Sequence, residues 1–85
     1  MKAIKLAEPW KVACVELDKP TPKPGEALIR IVTAGICGSD IGAFRGTNGL
    51  VSYPRVIGHE LAGIVESIPA DNKKGIRPGD RVVVD

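Results

Sequence analysis

The sequence has few of the features that mark nucleic-acid-binding, membrane or secreted proteins. Aromatic residues make up only 4% of the chain, which disfavours the base-stacking surfaces of single-stranded nucleic-acid binders. The net charge of +2 is small and the basic residues are scattered, so the sequence predicts no nucleic-acid partner. No apolar run approaches the roughly 20 residues of a membrane span, and no signal peptide is recognisable. The sequence therefore predicts a protein without a membrane partner.

Cysteine and histidine are also scarce, with two of the first and one of the second. The cysteines do not form a C-x-x-C pair and are too few for a disulfide framework. We therefore expect reduced thiols and a cytoplasmic location. A length of 85 residues allows one domain at most, and 44% hydrophobic with 26% charged residues is typical of a globular chain.

The hydrophobic pattern predicts a mainly β fold with many turns and one short helix. The helix is predicted at residues 40–45, after a possible N-cap at Ser39 or Asp40. The strand candidates are residues 2–6, 10–17, 27–34, 61–68 and 81–84. The segment 27–34 is apolar on both faces, so it is expected to be mostly buried. Gly63 is a predicted bulge or close-approach point, and the architecture is expected to be a partly open β-barrel.

Two short motifs carry the chemistry of the chain. Cys37-Gly38-Ser39-Asp40 follows the strand candidate 27–34, and Gly58-His59-Glu60 comes about twenty residues later. Together they supply a thiol, the single imidazole, a hydroxyl and two carboxylates. This is the mix of donors from which a zinc site is made. No glycine-rich dinucleotide fingerprint follows a strand, so the chain is expected to contain no Rossmann domain.

With these motifs located, the chain resembles the N-terminal catalytic domain of zinc-dependent medium-chain dehydrogenases, the alcohol and polyol dehydrogenases. The resemblance covers essentially all 85 residues. The segments that follow the family's order are the Pro-rich connector before Gly25, the two motifs, the Pro54–Gly63 run and Pro78–Val82. The resemblance implies an incomplete GroES-like domain spanning residues 1–85. The Gly-Ser-Asp form and Tyr53-Pro54-Arg55 look closer to polyol, sugar-acid and threonine dehydrogenases.

The resemblance also implies a role for each residue of the motifs. Cys37 and His59 would be zinc ligands, and Glu60 a conditional ligand that enters or leaves the zinc shell. Asp40 would orient His59, and Ser39 would begin the proton relay. Zinc lowers the pKa of the substrate alcohol, and hydride then passes from carbon to the nicotinamide of NAD or NADP. Substrates would be secondary alcohols such as polyols or hydroxy acids.

Each of these residues also has a plainer interpretation. A lone cysteine is usually a small hydrophobe, and a loop histidine can be hydrogen-bonded and inert. Ser39 could be an N-cap, and Asp40 a helix-start carboxylate favoured by the helix dipole. Glu60 could be solvated or ion-paired. Outside the motifs, the strand pattern predicts core packing for Cys14, and Trp10 is expected in the core or at a domain contact.

The resemblance implies that much of the parent enzyme lies outside this chain. The third zinc ligand, the lobe with a structural zinc and the NAD(P)-binding Rossmann domain would all lie downstream. The parent would be a homodimer or homotetramer, and the 85-residue chain alone is expected to be inactive. Two alternatives remain open: a stand-alone GroES-like interaction module without catalysis, and a structural zinc, which would need four protein ligands. The exposed edge expected at Val82–Asp85 favours a truncated chain over the stand-alone module.

Overall fold

The computed structural model describes residues 1–84 and contains six strands and one helix. The elements in chain order are β1 (Lys2–Glu8), β2 (Lys11–Glu16), β3 (Leu28–Gly35), α1 (Gly38–Arg45), β4 (Arg55–Val56), β5 (Glu60–Ser67) and β6 (Arg81–Val84). The prediction of a mainly β chain with one short helix is confirmed. Backbone contacts divide the chain into two compact units. No helix in this described range is long and apolar enough to cross a membrane.

The first unit comprises residues 1–19 and 35–58 and contains a three-stranded sheet in the order β2-β1-β4. Strands β1 and β2 form an antiparallel hairpin that pairs Lys2 with Glu16, and the register shifts between Leu6 and Glu8. β4 runs antiparallel to β1 on its other side. Leu6 lies in the middle strand and is fully buried, so the core of this unit is centred on β1.

The tip of this hairpin packs on the end of helix α1. Trp10 has a left-handed backbone with φ of 67°, and its N–H donates a hydrogen bond of 2.7 Å to the carbonyl of Phe44. The two rings meet edge to face with centroids 4.9 Å apart. Trp10 nevertheless remains 63% exposed, so of its two predicted positions the core is wrong, and the domain contact stays a prediction. Cys14 in β2 is exposed as well, which contradicts its predicted core packing.

Helix α1 begins two residues before the predicted start and has a different cap. The N-cap is Cys37, with extended backbone angles, while Ser39 and Asp40 lie inside the first turn. The prediction of an N-cap at Ser39 or Asp40 is therefore wrong, because the chain enters the helix directly at the cysteine. The helix ends at Gly46, whose φ of 78° is the left-handed conformation that glycine adopts without strain.

The second unit comprises residues 20–34 and those from His59 onward, with a sheet in the order β3-β5-β6. Gly63 in β5 is a close-approach point, as predicted, because a Cβ there would lie 2.3 Å from the carbonyl oxygen of Arg30. β3 is not the mostly buried strand that its composition predicts. Ile31 and Val32 are 44% and 59% exposed, since apolar composition alone does not determine which sheet faces are covered.

Candidate metal centre

The first turn of helix α1 places two predicted site residues in direct contact. The backbone N–H of Cys37 donates a hydrogen bond of 3.1 Å to Oδ2 of Asp40. The N–H of Asp40 in turn donates to the carbonyl of Cys37 at 3.0 Å. This reciprocal arrangement satisfies backbone groups that a helix start would otherwise leave unpaired. Asp40 is only 8% exposed, so the turn holds its carboxylate in a fixed, mostly buried position.

Ser39 lies beside the thiol that the sequence singles out. Its Oγ is 2.8 Å from Sγ of Cys37, within hydrogen-bonding distance, and either atom could be the donor. Ser39 is exposed, whereas Cys37 is half-buried. The serine hydroxyl is therefore accessible from solvent and adjacent to the sulfur.

Residues from both sequence motifs come together at this point. A ligand atom from each of Cys37, Asp40 and His59 lies within 4.8 Å of the others. His59 follows Gly58, whose φ of 116° is a conformation that residues with a side chain rarely adopt. The backbone just before the histidine therefore has a conformation that favours glycine.

The donor set suits zinc, which binds thiolate sulfur, imidazole nitrogen and carboxylate oxygen. Asp40 was expected to orient His59, yet its carboxylate lies close enough to the other two donors to belong to the ligand group itself. Glu60 is the first residue of β5 and is exposed. Within the described residues, Glu60 is outside the group formed by the other three, and its conditional ligand role stays a prediction.

Two features near this group were missed by the sequence reasoning. One is strand β4, whose two residues are too few to produce a pattern of alternating burial. The other is Tyr53, whose phenol donates a hydrogen bond to the carbonyl of Ala43 in the last turn of α1. The sequence held one signal for it: Tyr53 is the single tyrosine of the chain. A buried carbonyl partner for that hydroxyl has no sequence signature.

Comparison with known proteins identifies the family. Residues 23–85 match the alcohol dehydrogenase GroES-like domain, so the chain belongs to that family. The chain is 48% identical over 85 residues to an uncharacterised zinc-type alcohol dehydrogenase-like protein of Haemophilus influenzae, of which it covers 25%. It is 36% identical over 84 residues to the L-galactonate-5-dehydrogenase of Escherichia coli K12, matching 99% of this chain and 24% of that protein.

Solved structures agree with this assignment. The crystal structure of the alcohol dehydrogenase RspB from Escherichia coli CFT073 in complex with NADH matches all of this chain and 24% of its own, with a TM-score of 0.84 and 41% identity. The predicted family and GroES-like fold are thus confirmed. The chain spans about a quarter of the length of the relatives it matches.

Proposed function

We propose that this chain is the metal-binding N-terminal part of a zinc-dependent, NAD(P)-linked dehydrogenase that oxidises a secondary alcohol. The observation that carries the proposal is the grouping of Cys37, Asp40 and His59 within 4.8 Å in a chain of the alcohol dehydrogenase family. In this proposal residues 1–85 form one incomplete GroES-like domain, of which Asp85 lies outside the described residues.

Cys37 and His59 would hold the metal, with Glu60 as a ligand that joins under some conditions. Zinc, when bound, supplies a Lewis acid that polarises the hydroxyl of the substrate. The mostly buried carboxylate of Asp40 adds negative charge beside the two ligands, and its hydrogen bond from the Cys37 backbone limits its movement. Asp40 would thereby hold the imidazole of His59 in the orientation that binding requires.

Ser39 would move the proton that the substrate hydroxyl loses. Its Oγ is exposed and lies 2.8 Å from Sγ of Cys37, so it can stand beside a substrate bound at the same point. The hydroxyl would accept the proton at Oγ and release its own proton towards solvent. The hydride from the substrate carbon would pass to NAD or NADP, bound by a part of the protein outside this chain.

The names of the relatives support a substrate class. One relative is an L-galactonate-5-dehydrogenase, which supports a polyol or sugar-acid substrate, and the RspB structure contains NADH. We further propose a cytoplasmic protein without nucleic-acid or membrane partners, with a homodimeric or homotetrameric parent.

The metal assignment is tested by measuring bound zinc per chain after dialysis against a weak chelator. We expect Cys37→Ser and His59→Ala to lose the zinc that the wild-type chain retains. Cys14→Ser is the matched control, because Cys14 is an exposed thiol in β2 and not part of the ligand group. Retention of zinc by Cys37→Ser would contradict the site.

The dehydrogenase assignment is tested with NAD, NADP and a panel of polyols and sugar acids. The 85-residue chain is expected to show no turnover. The full-length protein is expected to be active and to lose about a hundredfold or more in kcat/KM on Cys37→Ser, because loss of a residue that only supports a metal ligand already costs about 10- to 100-fold. Robust turnover by the 85-residue chain alone would refute the proposal that NAD or NADP is bound by a part of the protein outside this chain.

A further inference from the structure

A side-chain hydrogen bond attaches the last turn of helix α1 to the segment that leads to His59. The phenol of Tyr53 donates this bond to the carbonyl of Ala43. The same carbonyl accepts the N–H of Gly46 at 3.3 Å as the helix ends. Ala43 is 3% exposed, so little water is available to replace a lost partner there.

On the helix side, the acceptor Ala43 shares a helix face with Asp40 of the candidate metal centre. Ala43 and Asp40 are three residues apart and are the two buried residues of α1, so they lie on the same face. A helix of eight residues is short enough to move as one rigid piece. A displacement at Ala43 is therefore passed to Asp40 and to Cys37, which is hydrogen-bonded to it.

On the donor side, Tyr53 begins the segment that leads to His59. After Tyr53 the chain enters β4, where Arg55 and Val56 pair with β1. Ile57 continues this attachment by donating its N–H to the carbonyl of Ile4 at 3.3 Å. His59 follows two residues later. The backbone between Tyr53 and His59 is thus held by hydrogen bonds along most of its length.

We infer that Tyr53 is a positioning residue for the metal centre: its phenol fixes helix α1, which carries Cys37 and Asp40, against the segment that delivers His59. This inference rests on the proposed function, since it assumes that Cys37 and His59 bind one metal. Tyr53 itself touches neither metal nor substrate in this account. Its hydroxyl acts by reducing the movement of the ligands relative to one another before the metal binds.

The test is the affinity of the 85-residue chain for Co²⁺, measured by chelator competition and by the thiolate-to-cobalt charge-transfer band. Tyr53→Phe keeps the ring and removes only the hydroxyl. We expect its dissociation constant to rise about five- to tenfold, the range that one lost hydrogen bond produces. The charge-transfer band is expected to shift or weaken at full occupancy, because the ligand geometry is less constrained.

Asn72→Ala is the control for a general loss of stability. The Asn72 side chain donates to the carbonyls of Pro69 and Ile76 and accepts the N–H of Ile76, all within the second unit. Its removal is expected to lower the melting temperature without changing the cobalt affinity or spectrum. A rise in the dissociation constant equal to that of Tyr53→Phe would overturn the inference.

A second measurement does not depend on the folding of the variant. Because Tyr53 is the single tyrosine, fluorotyrosine incorporation labels that position alone. Its fluorine resonance is expected to shift on zinc binding in wild type and in Cys14→Ser, but not in Cys37→Ser. An unchanged resonance with zinc bound, or an unchanged affinity in Tyr53→Phe, would overturn the role of Tyr53 and leave the metal centre intact. Failure of the wild-type chain to bind either metal would instead refute the proposed function itself.

Discussion

Oδ2 of Asp40 accepts a hydrogen bond from the backbone N–H of Cys37 at a distance of 3.1 Å. The carboxylate therefore has two parts to play: it satisfies a backbone donor at the start of helix α1, and it lies among the donors of the candidate metal centre. A negative charge at this end of the helix is also favoured by the helix dipole. The two parts can be separated, because only one of them requires a charge.

Substitution of Asp40 distinguishes these roles. Asp40→Ala removes the acceptor and the charge, and we expect the free energy of unfolding to fall by about 1 kcal/mol. Asp40→Asn keeps an oxygen acceptor for the Cys37 N–H, so its free energy of unfolding is expected to fall by about half as much. Both variants are expected to bind zinc more weakly than wild type, because both lack the carboxylate charge.

The measurements are urea unfolding of the metal-free chain and zinc competition with a chromogenic chelator. Equal zinc affinity in Asp40→Asn and wild type would mean that the carboxylate charge does not contribute to the centre. Equal stability of Asp40→Ala and wild type would show that the hydrogen bond to Cys37 does not stabilise the helix start.

Ser39→Ala tests whether the hydroxyl is functional rather than structural. The N-cap of α1 is Cys37, and the hydroxyl of Ser39 contacts its thiol and is exposed. We therefore expect the stability of the chain to change by less than about 0.5 kcal/mol, as for an ordinary surface position. In the full-length protein we expect kcat to fall about a hundredfold, the lower range for loss of a proton-transfer group.

Ser39→Thr is the matched control, since it keeps a hydroxyl and should retain most of the activity. The pH dependence of kcat provides the second measurement, because loss of a proton relay changes that profile while loss of packing does not. A large drop in stability in Ser39→Ala, with kcat unchanged at full folding, would show that the residue is structural.

The sequence predicted those features that carry a local sequence signal. A glycine inside a strand pattern indicates a bulge or close-approach point, and the structure places the Arg30 backbone against Gly63. The turn before β6 also has a local sequence signal, because Pro78-Gly79-Asp80 is typical of a tight turn. In the structure Gly79 has φ of 92° and Asp80 accepts the N–H of Arg77. The candidate zinc donors were singled out by residue type, and their ligand roles, which the resemblance implies, stay predictions.

The parts that were missed depend on neighbours that are distant in sequence. The exposure of Val32 in β3 follows from what covers the sheet, which hydrophobicity along the strand does not reveal. Strand β4 exists because Arg55 and Val56 pair with Leu6 and Lys5 of β1, which lie far earlier in the sequence. The hydrogen bond from Tyr53 to Ala43 likewise depends on the tertiary structure. Such pairings are fixed by tertiary structure and leave no periodic pattern.

Gly63→Ala is expected to be among the most destabilising single substitutions in the chain. The added Cβ would lie 2.3 Å from the Arg30 carbonyl oxygen and 2.8 Å from Cγ2 of Ile29. Because the nearest atom belongs to the backbone of a neighbouring strand, it cannot move aside without disrupting the sheet. We expect a loss of about 3 kcal/mol or more in the free energy of unfolding, the upper range for overpacking.

Gly49→Ala is the matched control, since a Cβ there meets nothing within 4 Å. It is expected to change stability by less than about 0.5 kcal/mol, which chemical unfolding of both variants would resolve. If Gly63→Ala were no less stable than Gly49→Ala, the close approach of β5 to the Arg30 backbone would be wrong.

Trp10 combines a favourable side-chain contact with an unfavourable backbone conformation, and two substitutions separate them. Its φ of 67° costs a residue with a side chain about 1 kcal/mol, a strain that glycine does not feel. Its ring gains about 0.5–1.5 kcal/mol from the edge-to-face contact with Phe44. Trp10→Ala loses the ring contact and keeps the backbone strain, whereas Trp10→Gly loses the ring contact but relieves the strain. We therefore expect Trp10→Gly to be more stable than Trp10→Ala by about 1 kcal/mol in chemical unfolding. The reverse order would mean that the left-handed backbone at the hairpin tip is not retained once the ring is removed.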